Sequence, residues 1–464
     1  ANIYLSDRKN KVGYTFFTGT TLQQAVDVNK DAFSDVGKQR SFFINPAIYF
    51  YPDKVNTISI EYNGVFEDRK GGDMQVIENG KTGAHQFFIQ NKIQRNTANV
   101  QWDDRISNTK RFTAKAIGSW FNRDINTNVF GMQARQLSYF SEAAYVNKFS
   151  KNDLVLGINF NGEQFKKEQP DSTQLQNFSH TTLGLFAQDD WRLHEKVTLQ
   201  TGLRTDFNSD YGMFVLPRTS LLYHISSTFT TRLGGGLGYK IPTVFDSEID
   251  ERDYMKLLPL QNVKAERSYG GNWDINFHKR INKTDITINQ AFYVTNIKDP
   301  LIINYNNGYY SLSNAAKGLI TKGIETYVQL FFGDLETYLG YTLTDAKKLY
   351  DAAQPHLELS ARNKFASVIA YTFSNRFRAS VEAAVTGRQY LGDGTKTPAY
   401  PFVAAMIRYD IKNISIVVNC ENVFDYRQTK KENIVSGSTL NPQFKQLWAP
   451  IDGRVVNLSV RFKF

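Results

Sequence analysis

The chain has 464 residues, with 34 Phe, 25 Tyr and 31 Gly against one Cys and five Met, and a net charge of +10. It holds no uninterrupted apolar run of about 18 residues, which excludes a spanning helix, and the lone Cys420 excludes an internal disulfide. The length allows about two or three soluble domains, but an aromatic-rich, glycine-rich chain without a hydrophobic run fits two architectures better. One is a wall alternating between lipid and a polar lumen; the other is a large soluble propeller or solenoid, for which no repeat of about 20–50 residues is found.

The positive balance favours anions, whether a metal chelate, lipopolysaccharide phosphates or nucleic acid, or lumen-facing Lys and Arg that meet acidic groups of a segment outside this sequence. The start at Ala1-Asn2-Ile3 has no charged start, apolar core or small-residue cleavage site. The expectation is a removed signal or a longer gene product.

In chain order, period-two segments recur. Lys11 to Thr21 puts Val12, Tyr14 and Phe16 on one side; Ser41 to Tyr51 turns at Pro52-Asp53-Lys54 into Asn56 to Glu67, where Ile58, Ile60, Tyr62 and Phe66 oppose Thr57, Ser59, Glu61 and Asn63. Arg69 to Ala84 is a long connection. His85 to Ile106 and Arg111 to Arg123 follow, then a loop through Phe130-Gly131-Met132, Leu137 to Phe149, the alternating Leu156, Ile158 and Phe160, and a loop from Lys166 to Ser179. Thr181 to Leu193, Val197 to Phe207, Leu216 to Ile225 and Thr230 to Tyr239 precede a loop from Lys240 to Arg267. Tyr269 to Phe277 and the segment of Ile286, Ile288, Phe292 and Val294 lead into a loop from Asp299 to Lys322. Ile324 to Phe332, Leu335 to Thr344, Phe365 to Phe373, Phe377 to Val385, Tyr400 to Asp410, Ile414 to Val423 and the terminal Arg454 to Phe464 complete the series.

Short turns and long loops alternate along this series of about twenty segments. That asymmetry predicts an all-β, transmembrane, antiparallel up-and-down barrel with short periplasmic turns and long extracellular loops. Residues 1–464 form one barrel domain on this reading, in a bacterial outer membrane crossed many times. The closing strand places Val456, Leu458, Val460 and Phe462 towards lipid and Asn457, Ser459 and Arg461 towards the lumen, with one edge of the sheet unpaired. Ala1 to Asn10 is expected to be a polar stub of a preceding connection.

Four motifs then appear in order: Gly238-Tyr239-Lys240-Ile241-Pro242-Thr243, Val263-Lys264-Ala265-Glu266-Arg267-Ser268, Asn422-Val423-Phe424-Asp425, and Pro450-Ile451-Asp452-Gly453-Arg454 before the terminal strand. With them the chain resembles the carboxyl-terminal part of a TonB-dependent outer-membrane receptor; Ala265 departs from the Pro usual in the second motif. The resemblance implies a barrel of about 22 strands around a plug, with the plug, its TonB-contacting box and the first two strands absent from this sequence. It also implies that Val456, Leu458, Val460, Phe462 and Phe464 form the signal read by the barrel-assembly machinery.

Enzymatic chemistry finds no support. Gly234-Gly235-Gly236-Leu237-Gly238 lacks the strand-turn-helix and Lys-Ser/Thr context of a phosphate loop and reads as glycines of a curved strand or of a plug-facing wall. His85, His180, His194, His224, His278 and His356 are scattered, though His85, His180 and His356 fall near the outer rim. Asp189-Asp190 and the cluster Glu248, Asp250, Glu251 and Asp253 lack a nucleophile or metal ligands.

The candidate ligand-binding residues are aromatic, thioether and basic groups in the outer connections: Arg69, Met74, Arg135, Tyr254, Tyr305, Tyr309, Tyr310, Arg388, Tyr390, Tyr426, Arg427 and Trp448. Aromatic faces beside guanidinium groups suit a flat anionic chelate or haem; the plain alternative is the interfacial girdle of any membrane barrel. The resemblance implies energised uptake of a scarce nutrient, first a ferric siderophore, then haem or cobalamin. Its implied partners are TonB with its inner-membrane energising complex, reached through the plug, a small-molecule metal chelate, and outer-membrane lipid with lipopolysaccharide. The other readings are a barrel docking surface lipoproteins or a larger membrane complex, and a passive porin. No nucleic acid, cofactor or bound metal is expected.

Overall fold

The computed structural model describes residues 1–168, 173–245 and 249–464. Its strands in chain order are β1 (Asn2–Lys9), β2 (Val12–Gln23), β3 (Lys38–Phe50), β4 (Asn56–Gly72), β5 (Phe88–Asp104), β6 (Lys110–Thr127), β7 (Gly131–Lys148) and β8 (Asn152–Glu168). Next come β9 (Phe178–His194), β10 (Val197–Asn208), β11 (Gly212–His224), β12 (Phe229–Lys240), β13 (Glu266–Ile281), β14 (Thr284–Lys298), β15 (Leu301–Asn306) and β16 (Tyr309–Asn314). Then follow β17 (Leu319–Phe332), β18 (Leu335–Lys348), β19 (Asn363–Ser374), β20 (Phe377–Thr386), β21 (Tyr400–Ile411), β22 (Ile414–Glu421), β23 (Val435–Ser438), β24 (Asn441–Phe444) and β25 (Val455–Phe462). Among the described residues one short α-helix, α1 (Met74–Asn79), lies outside the wall, and no helix is long and apolar enough to cross a membrane.

A single 21-stranded antiparallel sheet forms the wall. Each wall strand pairs with the next in the chain; β15–β16 and β23–β24 are separate hairpins standing in loops. This meander is what period-two patterning produces when one face meets lipid: all backbone groups pair between strands while side chains alternate in and out. Leu156, Ile158 and Phe160 of β8 are exposed on the outer face, whereas Asn159 between them is 1% exposed. On the lumen side Arg204 reaches Asp206 at 2.7 Å and Arg378 reaches Glu336 at 2.9 Å.

The inner rim is made of tight turns. Asn10, Asn282, Gly333 and Lys412 open them in left-handed backbone, with φ of 54°, 55°, 56° and 49°, the conformation that two-residue hairpin loops demand. The other rim carries the long connections, as expected, with two exceptions. Residues 128–130 and 209–211 are the whole of two outer connections. The strands there extend further than expected, so Met132 and Arg135 belong to β7 and Met213 to β11 rather than to loops. The expected loop from Asp299 to Lys322 likewise contains the β15–β16 hairpin, built on Asn307-Gly308 with φ of 52° and 84°.

The expected stub, Ala1 to Asn10, is a strand. β1 pairs along its length with β2, from Asn2↔Gly19 to Lys9↔Val12; its alternation is hidden by Asp7, Arg8 and Lys9, and only Ile3 and Leu5 mark its outer face. β25 pairs with β22 from Val455↔Glu421 to Phe462↔Ile414. Its outer face carries Val456, Leu458, Val460 and Phe462, in register with Cys420, Val418, Ile416 and Ile414. Both β1 and β25 run from outer to inner rim. With β1 counted, the wall has 21 strands where about twenty were expected.

Candidate functional site

On the outer rim, parts of connections 24–37, 73–87, 241–265 and 422–454, with the ends of β4 and β5, line an open cavity of about 630 Å³, the vestibule. Phe33, Phe87 and Phe444, each from a different loop, meet there with ring centroids 5.8, 5.5 and 5.4 Å apart. The Arg252 guanidinium lies 4.8 Å from the Phe444 centroid and 5.9 Å from that of Phe87. Arg69, Lys445, Asp31, Asp35 and Asp250 complete the charged lining.

Local hydrogen bonds explain how each ring arrives. Asp27 accepts from the amides of Lys30, Asp31 and Ala32, and Asp35 from those of Val28 and Asn29. These turns hold Lys30 and Ala32 at φ of 65° and 74° and bury Phe33. In the next loop Asp73, 1% exposed, caps α1 by accepting from the Gln75 amide and takes a 2.7 Å contact from His85 Nδ1. Phe444 ends β24. The segment carrying Arg252 is clamped to the wall through Glu251, which meets Arg123 of β6 and Asn91 of β5.

The electrostatics are mixed. Burial pushes the Asp35 carboxyl above the usual range, partly offset by the two amides it accepts from. Burial works the same way on Asp250, but the Arg252 guanidinium outweighs it and holds that carboxyl below its ordinary value. Arg252 is bidentate to Asp250 at 3.0 and 2.8 Å, and Lys445 pairs with Glu432 at 2.9 Å. Arg69 is exposed and has no ion pair among the described residues, so it is the cation most available to a ligand.

Of the twelve residues singled out from sequence, Arg69 lines this cavity. Met74 opens α1, its amide donating to the Ala32 carbonyl at 2.9 Å. Arg135 pairs with Glu168 on the outer face. Tyr254 is buried in an apolar cluster with Ile125, Phe130, Met132, Phe165, Leu257 and Leu312, against which Tyr310 packs, while Tyr305 and Tyr309 remain exposed. Arg388 is exposed and Tyr390 stacks on His356 with centroids 4.2 Å apart. Tyr426 stacks on Tyr400 at 5.4 Å, Arg427 donates to the Val28 carbonyl at 3.1 Å, and Trp448 donates from Nε1 to Glu432 at 2.8 Å.

Sequence reasoning missed Phe33, Phe87, Phe444, Arg252 and Lys445. The Asp-rich run Asp27 to Asp35 signalled a tight turn that would have placed Phe33, and Arg252 was hidden in a stretch read only for its carboxylates. Glu248 of that stretch lies outside the described residues; Asp253 pairs with Lys256 at 3.5 Å. His180 meets Asp210, drawing its carboxyl below the usual range. Among the described residues no three His, Cys, Asp or Glu side chains are grouped to hold a metal ion.

The motifs prove to be joints between wall and loops. Asn422, 1% exposed and at φ 48°, donates to the Tyr426 and Gly453 carbonyls at 2.8 and 3.2 Å and accepts from the Tyr426 amide at 2.9 Å. Asp425 accepts from the Arg454 amide, tying the third motif to the fourth, and the Lys430 ammonium holds its carboxyl below the usual range. In the second motif Glu266 accepts from the Leu301 amide at 2.7 Å. Asn422→Ala should therefore cost about 3 kcal/mol by stranding three partners and straining the backbone, measured as lost amide protection across residues 422–454.

The family model described as TonB dependent receptor-like, beta-barrel, matches residues 6–423. No curated protein matches the chain. Among solved structures, the siderophore receptor PirA from Pseudomonas aeruginosa is similar at 16% identity and a TM-score of 0.71, covering 100% of this chain and 75% of its own. A mutant of the ferric enterobactin receptor PfeA from the same organism is similar at 14% identity and a TM-score of 0.76, covering 100% and 77%. The copper transporter OprC is similar at 12% identity and a TM-score of 0.75, again covering 100% and 77%. With these matches added to the wall, its rims and its four joints, the chain belongs to the TonB-dependent receptors and forms their outer-membrane β-barrel.

Proposed function

We propose that this barrel captures and imports a ferric chelate with flat aromatic arms, of the catecholate siderophore kind, with haem and then cobalamin as the next substrates. The observation that carries the proposal is the ring triad Phe33, Phe87 and Phe444 beside Arg252, in one cavity with Arg69, which has no ion pair among the described residues. Phe444, 37% exposed and backed by the buried Phe33 and Phe87, offers an aromatic surface to a planar arm, and Arg69 supplies a forked donor to a phenolate or carboxylate oxygen. The names of similar structures, a siderophore receptor and a ferric enterobactin receptor, agree with such a cargo; the copper transporter among them keeps a different metal open.

Tyr305, Tyr309 and Arg388, exposed on outer connections, act as first contacts before the ligand settles. Transport draws its energy from TonB and its inner-membrane complex through a plug. Val456, Leu458, Val460, Phe462 and Phe464 serve as the assembly signal. The test is uptake in a gene-deletion strain of labelled ferric tris-catecholate, haem and cobalamin, expected to lose the first. Survival of all three, with failure of another membrane complex to assemble, would favour the docking barrel; conductance steps from the whole reconstituted protein would favour the porin.

A further inference from the structure

The ladder between β11 and β12 is half made. β11 pairs with β10 from Gly212 to Tyr223, and β12 with β13 from Phe229 to Lys240, yet β11 and β12 pair only between Arg218↔Gly236 and His224↔Thr230. Pro217, which has no N–H to donate, stands where the ladder stops. Above it Phe214 and Tyr239 close the lumen side of the gap, stacked with centroids 3.8 Å apart and 4° between planes, and the Tyr239 hydroxyl donates to Asp206 at 2.8 Å.

On the membrane side the gap widens into a groove of about 560 Å³, within the range of about 300–1,000 Å³ typical of ligand sites. Pro217, Leu237, Tyr269 and Val294 form its walls, and Gly235, opposite Gly271, its floor. A Cβ on Gly235 would stand 2.8 Å from the Gly270 carbonyl oxygen, and one on Gly271 3.1 Å from that of Gly234. The floor is therefore held bare by the backbone on either side. Gly235 belongs to the run Gly234–Gly238 that a phosphate loop did not explain.

The groove ends at the outer rim beneath two cations. Arg267 and Lys298 are directly opposite each other across β13 and β14, both exposed and without an ion pair among the described residues. Lys298 lies 5.6 Å from the Tyr269 centroid and the Arg267 guanidinium 5.2 Å from that of Phe214. The adjacent carboxylate, Glu266, is engaged by Lys240 and by the Leu301 amide. Like charges directly opposite on neighbouring strands repel, and an anion between them reverses the sign of that interaction.

We propose that this groove binds a phosphorylated, multiply acylated glycolipid of the outer leaflet. Its phosphate sits between Arg267 and Lys298, where the guanidinium fork suits phosphate oxygens. One acyl chain lies along Leu237, Tyr269 and Val294 over the paired glycines. Charge complementarity at the rim and an apolar trough running inward from it match the two ends of such a molecule in order.

The whole receptor is incorporated into phosphatidylcholine nanodiscs doped with bis-phosphorylated lipid A or, separately, with phosphatidylglycerol, then washed into detergent, and retained lipid is identified by native mass spectrometry. Wild type should keep one lipid A per barrel, with about tenfold less retained by Arg267→Glu/Lys298→Glu and by Val294→Trp, which fills the trough but leaves the cations. Ferric-chelate binding should be unchanged in both, since neither touches the vestibule. Should the charge-reversed barrel fail to assemble, Val294→Trp decides alone. Wild-type retention in both variants, equal retention of phosphatidylglycerol, or complete displacement by inorganic phosphate would each overturn the proposal.

Discussion

Arg69→Glu should weaken binding of a ferric catecholate to the whole receptor by roughly 10–100-fold, from a hydrogen-bonded charge contact of about 1.5–3 kcal/mol. Arg69 projects into the vestibule from β4, a wall strand paired on both sides, so the substitution leaves the fold in place. Arg252 and Lys445 are already matched by Asp250 and Glu432; reversing Arg69 removes a lining cation that has no such partner among the described residues and adds a repelling carboxylate. Arg69→Lys should recover only part of the affinity, because an ammonium offers a point charge rather than a fork. Titration with the purified protein checks both variants, and wild-type affinity in Arg69→Glu would remove this residue from the site.

Leu257→Ala should cost about 2–5 kcal/mol, seen as a fall of roughly 30-fold or more in amide protection over residues 249–265 and 301–314. Leu257 is fully buried at the end of the 3₁₀ turn Glu251–Lys256, bridged to Tyr310, and the adjacent Leu258 amide donates to the Tyr310 carbonyl at 2.8 Å. Its cluster joins the tips of β6, β7 and β8 to the β15–β16 hairpin. The same segment carries Asp250 and Arg252 into the cavity, so chelate affinity should fall with protection, although Leu257 does not line it. Unchanged exchange in β5 to β8 would separate this local loosening from damage to the wall.

The wall was legible because lipid on one face and water on the other impose period two, and Leu156, Ile158 and Phe160 or Trp273, Ile275 and Phe277 display it without interruption. β1 escaped because Asp7, Arg8 and Lys9 lie near its inner end, where charges fall on both faces. The two short outer connections escaped because strand above the membrane is free of the apolar pattern: Asn122, Asp124 and Asn126 of β6 face outward there as polar residues. The vestibule was the least legible. Its rings sit far apart in the chain, at Phe33, Phe87 and Phe444, and come together only through Asx turns, a capped helix and a small hairpin. The exposed-looking Tyr254, Arg427 and Trp448 turned inward because each found partners there: an apolar cluster, the Val28 carbonyl and Gln428 with Glu432.

That the vestibule is where the ligand settles can be measured by a fluorophore on its wall. With Cys420→Ser as background, Leu447→Cys places a label on an exposed residue lining the cavity, and Tyr305→Cys places one on the exposed hairpin outside it. In intact cells, ferric tris-catecholate should quench the label at 447 saturably, with recovery as the ligand is transported, and should quench the label at 305 far less. Equal quenching at both positions, or none at 447 while uptake proceeds, would contradict a capture site between the first, second and last outer loops.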